Sequence, residues 1–187
     1  MNDNNEFSGV DFALGSVRGF RSWKIKVEGK LEPLHRSGIW LPGENRAVCY
    51  GTPPKGVMPT IEGEDWKERN EKVKAWRLDH AFESCEHGFY AYFDASNAEG
   101  STYGSPSLAG VIEGYGEVLI GTKGFRAMKA RILAISVEPH RGIWALEPFI
   151  VDRLRRNYPG VAIFDSSFAM QAEFPAESYV ESKAVLS

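Results

Sequence analysis

The chain has 187 residues, 43% of them hydrophobic, which is enough for one substantial core and too short for several independent domains. A formal net charge of −3 excludes a protein that coats nucleic acid over its whole surface. Two cysteines, Cys49 and Cys85, exclude a disulfide-built scaffold, and no apolar run is long enough to span a bilayer as a helix.

Residues 1–15 are polar and read as a flexible lead-in. Residues 1–8 lack the apolar segment of a secretory signal, so the expected setting is a cytoplasm with reduced thiols. Residues 20–27 (FRSWKIKV) alternate, with Trp23, Ile25 and Val27 on one face, which predicts a half-buried strand. Gly29 and Lys30 then turn the chain into residues 31–34, completing a hairpin. Trp40-Leu41-Pro42-Gly43 is a turn, and residues 47–50 (AVCY) are a short strand. The proline- and glycine-rich stretch 52–63 is a loop, and 64–82 reads as a short helix with irregular chain. Residues 88–94 (GFYAYFD) form a strand, followed at 95–107 by a small-residue loop long enough to bind something.

Strands are expected at 108–112 and 116–120, with Gly114 marking a bulge or bend between them. Residues 121–124 are a hairpin turn leading into a long strand at 125–137. The apolar phase of that strand changes midway, from Met128, Ala130 and Ile132 to Leu133, Ile135 and Val137, as a coiled sheet requires. The strongest helix lies at 146–158, with Pro148 in its first turn and a stripe of Ile150, Val151, Leu154 and Tyr158. Arg153, Arg155 and Arg156 lie off the stripe, where the helix dipole favours cations and where a solvated face is expected. Pro159-Gly160 stops this helix; residues 161–164 form a last short strand and 166–173 a turn of helix. The prediction is a single α+β domain over residues 16–175 with a mobile tail at 176–187. A twisted, mostly antiparallel sheet or half-open barrel should pack against the one main helix.

Three groups of residues could carry chemistry. Cys49, His80, Cys85 and His87 supply two thiolates and two imidazoles, a donor set suited to tetrahedral zinc, although their spacing matches no standard zinc motif. Lys123, Phe125, Arg126, Lys129 and Arg131 gather cations and a ring at a hairpin tip, which suits a phosphate backbone with a stacked base. Phe89, Tyr90, Tyr92 and Tyr103 offer an aromatic binding surface. Glu113, Glu117 and Asp94 are read as solvated sheet carboxylates rather than an acid/base pair. No nucleophile elbow is present, and Gly114-x-Gly116 lacks the third glycine and following helix of a dinucleotide fingerprint.

The runs CEHGFYAY from Cys85, GVIEGYG from Gly110 and GFRAMKAR from Gly124 form a distinctive set. With Trp40-x-Pro42-Gly43-Glu44-Asn45, Cys49, Tyr158-Pro159-Gly160-Val161 and Phe164-Asp165, it resembles a recurrent family of small proteins of actinobacteria and, especially, their bacteriophages. The resemblance covers most of residues 18–175; it implies a genomic setting and brings no catalytic residues with it. The expected function is therefore that of a non-catalytic phage or host accessory protein that binds a host protein partner and needs no cofactor. The first alternative is a nucleic-acid- or nucleotide-binding barrel using the basic loop. The second is a small zinc protein with enzymatic activity. No membrane partner is expected, and the sequence sets no oligomeric state.

Overall fold

Two long antiparallel strands, β5 (Ser107–Ile120) and β6 (Gly124–Ser136), form the spine of the computed structural model, which describes residues 15–34, 38–49, 66–79, 82, 85–98, 107–138 and 146–177. Their turn is closed by Gly121 N donating to Gly124 O at 2.8 Å. β1 (Ser16–Ile25) runs antiparallel along the free edge of β5, from Ser16 opposite Tyr115 to Lys24 opposite Ser107. β2 (Leu31–Pro33) folds back on the end of β1, giving the expected hairpin.

The other edge of β6 is shared by three short strands. β3 (Asn45–Arg46) pairs with Ala130 and Lys129, and β4 (Phe89–Tyr92) pairs with 124–127. β7 (Ala162–Phe164) runs parallel to residues 134–136. β4 touches β1 through a single pair, Phe20 with Tyr92, so the sheet curls strongly and does not close as a barrel. This mostly antiparallel, seven-stranded sheet and its helices make the fold α+β.

Both faces of the sheet are covered, which is why β1 is buried along most of its length and not merely on alternate residues. On one face Trp23, Leu31, Ile112, Phe125 and Ile135 pack with Leu154 and Tyr158 of the helix region. On the other, Phe20, Val111 and Ala134 pack with Ala98 and Met170. Helix α3 (Pro148–Asn157) matches the expected main helix, and its stripe residue Leu154 is fully buried. Tyr158, just past it, accepts a hydrogen bond from Leu31 N and donates one to Trp40 O, each at 2.8 Å. Burial pushes its phenol up from the usual value, so both bonds are kept by a neutral hydroxyl. Arg153 and Asn157 donate to the carbonyls of Val27 and Glu28 at 2.9 and 2.8 Å, fastening the β1–β2 turn to α3. Arg153 is thus more than a solvated face, while Arg155 pairs with Asp152 on the helix surface.

Several sequence expectations change in detail. β1 starts at Ser16 and ends at Ile25, so Val27 sits in the turn, 59% exposed, and does not share the face of Trp23. The third strand is Asn45–Arg46, and residues 47–49 of the expected strand are not part of it, although Ala47 N still donates to Met128 O at 2.8 Å; residue 50 lies outside the described residues. Helix α1 (Trp66–Asp79) is continuous, where a short helix with irregular chain was expected. The loop after β4 opens with a turn of helix, α2 (Ala95–Ala98), begun by Asp94, whose carboxylate accepts from Ser96 N and Oγ at 2.8 Å.

The strands expected at 108–112 and 116–120 are one strand. Gly114 keeps regular partners in Val17 and Ala130; the bulge lies at Gly116, whose φ of +80° suits glycine and puts Gly116 and Glu117 opposite Met128. A second register shift, between Val111 and Ile112, leaves Leu133 as the extra residue and accounts for the change of apolar phase in β6. Helix α4 (Ser167–Glu173) ends the described chain's regular structure. The start of the expected tail is held in place, because Glu177 N donates to Arg18 O at 3.3 Å. The expected lead-in lies outside the described residues apart from Gly15. No described helix is long and apolar enough to cross a membrane.

Candidate functional site

The split edge of β6 assembles two adjoining features. β3 occupies that edge up to Met128, and β4 takes it over from Ala127. The chain leaving β3 and the chain arriving at β4 therefore converge at one place, although Cys49 and Cys85 are far apart in sequence. Cys49 Sγ and Cys85 Sγ stand 3.2 Å apart and are not joined by a disulfide. The ligand atoms of Cys49, Cys85 and His87 all lie within 4.8 Å of one another. Cys49 and His87 are 1% and 4% exposed, and Cys85 is half-buried. Three of the four expected metal ligands thus come together; His80 lies outside the described residues.

Arg126 holds this cluster's loop. Its Nη1 and Nη2 donate to the carbonyls of His87 and Phe82 at 3.3 and 3.2 Å, and its guanidinium lies 4.4 Å over the Phe82 ring. Phe82 in turn meets the His87 ring edge-on, with centroids 5.3 Å apart. Gly88 sits directly on the Arg126 stem at φ +148°; a Cβ there would come within 2.5 Å of Arg126 Cγ.

This arrangement corrects the expected basic-aromatic tip. Arg126 is only 6% exposed and Phe125 is fully buried: β4 pairs with the start of β6, Phe125 turns into the core over Gly19 and Gly114, and Arg126 lies against Phe82 and Gly88. Phe125 packs in the core beside Phe93 and has no face for a base. Lys129 pairs with Glu44 at 3.2 Å, and Arg131 pairs with Glu113. Of the four cations, Lys123 is the one placed at the exposed turn.

Glu113 and Asp94 are held ionised, and Glu113 is buried rather than solvated as expected. Burial pushes Glu113 up, but the Ser16 hydroxyl, donating at 2.6 Å, and the Arg131 guanidinium outweigh it and set its carboxyl below the usual range. The Ser96 hydrogen bonds lower Asp94 in the same sense, and Glu117 is exposed on the bulge.

The second feature is a cleft of about 500 Å³ where β1 and β4 part company. They pair at Phe20 and Tyr92, after which β1 turns to β2 and β4 continues along β6. Arg21 spans the gap: Nη1 donates to Tyr90 O at 2.6 Å and the guanidinium lies 5.0 Å over the Trp40 ring. Ser22 Oγ donates to Ala98 O at 2.7 Å on the far side. Phe89, Tyr90 and Tyr92 line the cleft as half-buried rings, and Phe89 meets Trp40 edge-on at 4.7 Å. Tyr103, the fourth expected aromatic, lies outside the described residues.

The rim was not expected. Ile39, Leu41 and Val48 line the cleft while remaining 43%, 56% and 45% exposed, and Arg46 is exposed beside them. Asn45 presents this rim: its side chain accepts from Leu41 N at 2.8 Å and donates to Leu41 O and Gly43 O at 3.1 and 3.0 Å. The available signal was two aliphatics flanking Trp40 in a Pro-Gly turn, where exposed apolar side chains have no packing role. Val48 and Cys49 are neighbours in sequence, as are His87 and Gly88, so one wall of the cleft is the outer side of the Cys–His cluster. Comparison with protein-family models, with curated proteins and with solved structures finds no match.

Proposed function

We propose that this protein acts by binding, and that the cleft between β1 and β4 takes an extended segment of a protein partner. The observation that carries this reading is the rim: Ile39, Leu41 and Val48 stay exposed around a half-buried aromatic floor. An aromatic floor with an aliphatic rim and an arginine has the composition of an interface centre. The segment would place an apolar side chain against the half-buried rings of Phe89 and Tyr92 and a carboxylate near Arg46. In the genomic setting that the sequence pattern resembles, that of actinobacteria and their phages, the partner is a host protein.

The test is affinity capture from an actinobacterial lysate with three forms of the chain: wild type, Leu41→Asp and Lys123→Ala. Leu41 is on the rim, Lys123 is at the hairpin tip and does not line the cleft, and both side chains are exposed, so neither change disturbs the core. The expected result is a protein captured by wild type and Lys123→Ala, lost with Leu41→Asp, and retained as salt is raised. A captured species that is nucleic acid, weakens steeply with salt and depends on Lys123 would overturn the reading in favour of the basic loop.

A further inference from the structure

We propose that Cys49, Cys85 and His87 bind one thiophilic divalent metal ion, of which zinc is the best match. Two thiolates and an imidazole are a donor set that selects zinc over hard cations such as magnesium or calcium. The three ligand atoms already lie within 4.8 Å of one another without an ion between them. In a tetrahedral centre with bonds of about 2.3 Å, two sulfurs stand about 3.8 Å apart. The Cys49 and Cys85 sulfurs, at 3.2 Å, therefore need to part by only about 0.6 Å.

The donors are assembled by long-range structure. Cys49 follows β3, Cys85 and His87 precede β4, and both strands are positioned by the same edge of β6. Arg126 fixes Phe82 and His87, on either side of Cys85 in sequence, through their carbonyls, as an outer-shell residue does when it orients a ligand-bearing segment. Cys49 and His87 are almost wholly screened from water, and the two sulfurs are within hydrogen-bonding distance of one another, either able to donate. An ion binding there takes the place of the thiol protons, which pass to solvent. A disulfide would join the two sulfurs, whereas an ion would engage the imidazole that lies within 4.8 Å of both as well.

Three protein ligands leave a fourth coordination position, and half-buried Cys85 is the side on which solvent approaches. Water or an added ligand would complete the shell there. The ion would tie the 47–49 segment to the 85–89 segment, and these form the shared wall of the cleft. This inference does not depend on the cleft's having a partner.

The experiment uses the full chain, stripped with a chelator and kept under reductant, and titrated with Co²⁺ alone. The expected result is saturation at one equivalent, with thiolate-to-cobalt charge transfer in the near ultraviolet and the intense visible bands of tetrahedral cobalt; Zn²⁺ then bleaches both. Cys85→Ser, at a half-buried position, should weaken cobalt binding by more than about 100-fold, beyond the 10–100-fold cost of losing an outer-shell partner. Cys49→Ser should do the same, and His87→Gln should keep the charge transfer while altering the visible bands. The proposal is overturned if reduced wild-type protein shows no charge transfer, or if the spectrum survives in Cys85→Ser. Formation of a Cys49–Cys85 disulfide in air despite equimolar Zn²⁺ would also overturn it. The wild-type titration decides the matter even where Cys49→Ser does not fold.

Discussion

The two edges of β6 are built differently. Along one edge β5 pairs with it from Phe125 to Ile135, interrupted only by two bulges. The other edge is divided among β4, β3 and β7, strands of four, two and three residues. On the continuous edge the backbone satisfies itself. On the divided edge side chains do much of that work: Arg21 for the Tyr90 carbonyl, Arg126 for those of His87 and Phe82, Asn45 for the turn at Leu41. Each gap between short strands is a place where a side chain, a ligand or an ion can stand. The Cys–His cluster stands where β3 gives way to β4, and the cleft opens beside it, where β4 parts from β1. The proposed reading puts recognition on the second edge and expects stability to be concentrated on the first.

The sharpest way to break this contrast is to damage the continuous side. Trp23 is fully buried, and Trp23→Ala should cost about 3–5 kcal/mol in denaturant unfolding. If that loss were no larger than for a rim substitution, the contrast would be wrong. Metal removal should act next: at a free ion concentration of about 100 times Kd, the ion contributes about 2.7 kcal/mol. Chelation should therefore lower Tm in wild type and leave Tm unchanged in Cys85→Ser.

Arg126→Met keeps the stem but removes the donors to two carbonyls, at a cost of about 1–3 kcal/mol. It should also weaken cobalt binding about 10-fold or more through the loosened loop. A variant that lost stability with unchanged metal affinity would separate the strut from the cluster.

Glu113→Gln tests the spine's own charge pair and should cost about 2 kcal/mol at neutral pH, the range for a hydrogen bond to a charged group. The folded state holds this carboxyl below its usual value of 4.5. Its contribution is thus fully present above pH 4.5 and is lost as pH falls through the lower folded-state value. The difference between wild type and Glu113→Gln should shrink across that acid range in pH-dependent unfolding. The smallest effect on stability belongs to the rim: Leu41→Asp should change unfolding by less than about 0.5 kcal/mol while abolishing partner capture.

Legibility followed the range of the forces involved. The α3 helix was readable because its signals are local: Pro148 at the start, Leu154 and Tyr158 on one stripe, Pro159-Gly160 at the end. The phase change in β6 was readable as a switch of faces. Its cause was not, since an extra residue at Leu133 exists only relative to a partner strand. Gly114 and Gly116 look alike in sequence, and register alone made Gly116 the bulge. Phe125 and Arg126 beside a Lys-Gly turn have the composition of an exposed loop. They are buried because β4, separated from them by the whole of β5, pairs alongside them, which brings Phe82 and Gly88 onto Arg126 while Phe125 turns into the core. Cys49, Cys85 and His87 were recognised as donors by residue type, while their meeting depended on where β3 stops and β4 begins.

By itself, then, the sequence determined the α+β class, the main helix, the hairpins and the set of residue types able to bind metal or stack rings. These follow from nearest-neighbour propensities and periodicity, which act over a few residues. The tertiary structure alone decided which edge of β6 is divided, where the sheet fails to close and which cations are turned inward. Those outcomes depend on pairings between distant segments, whose energies no local pattern encodes.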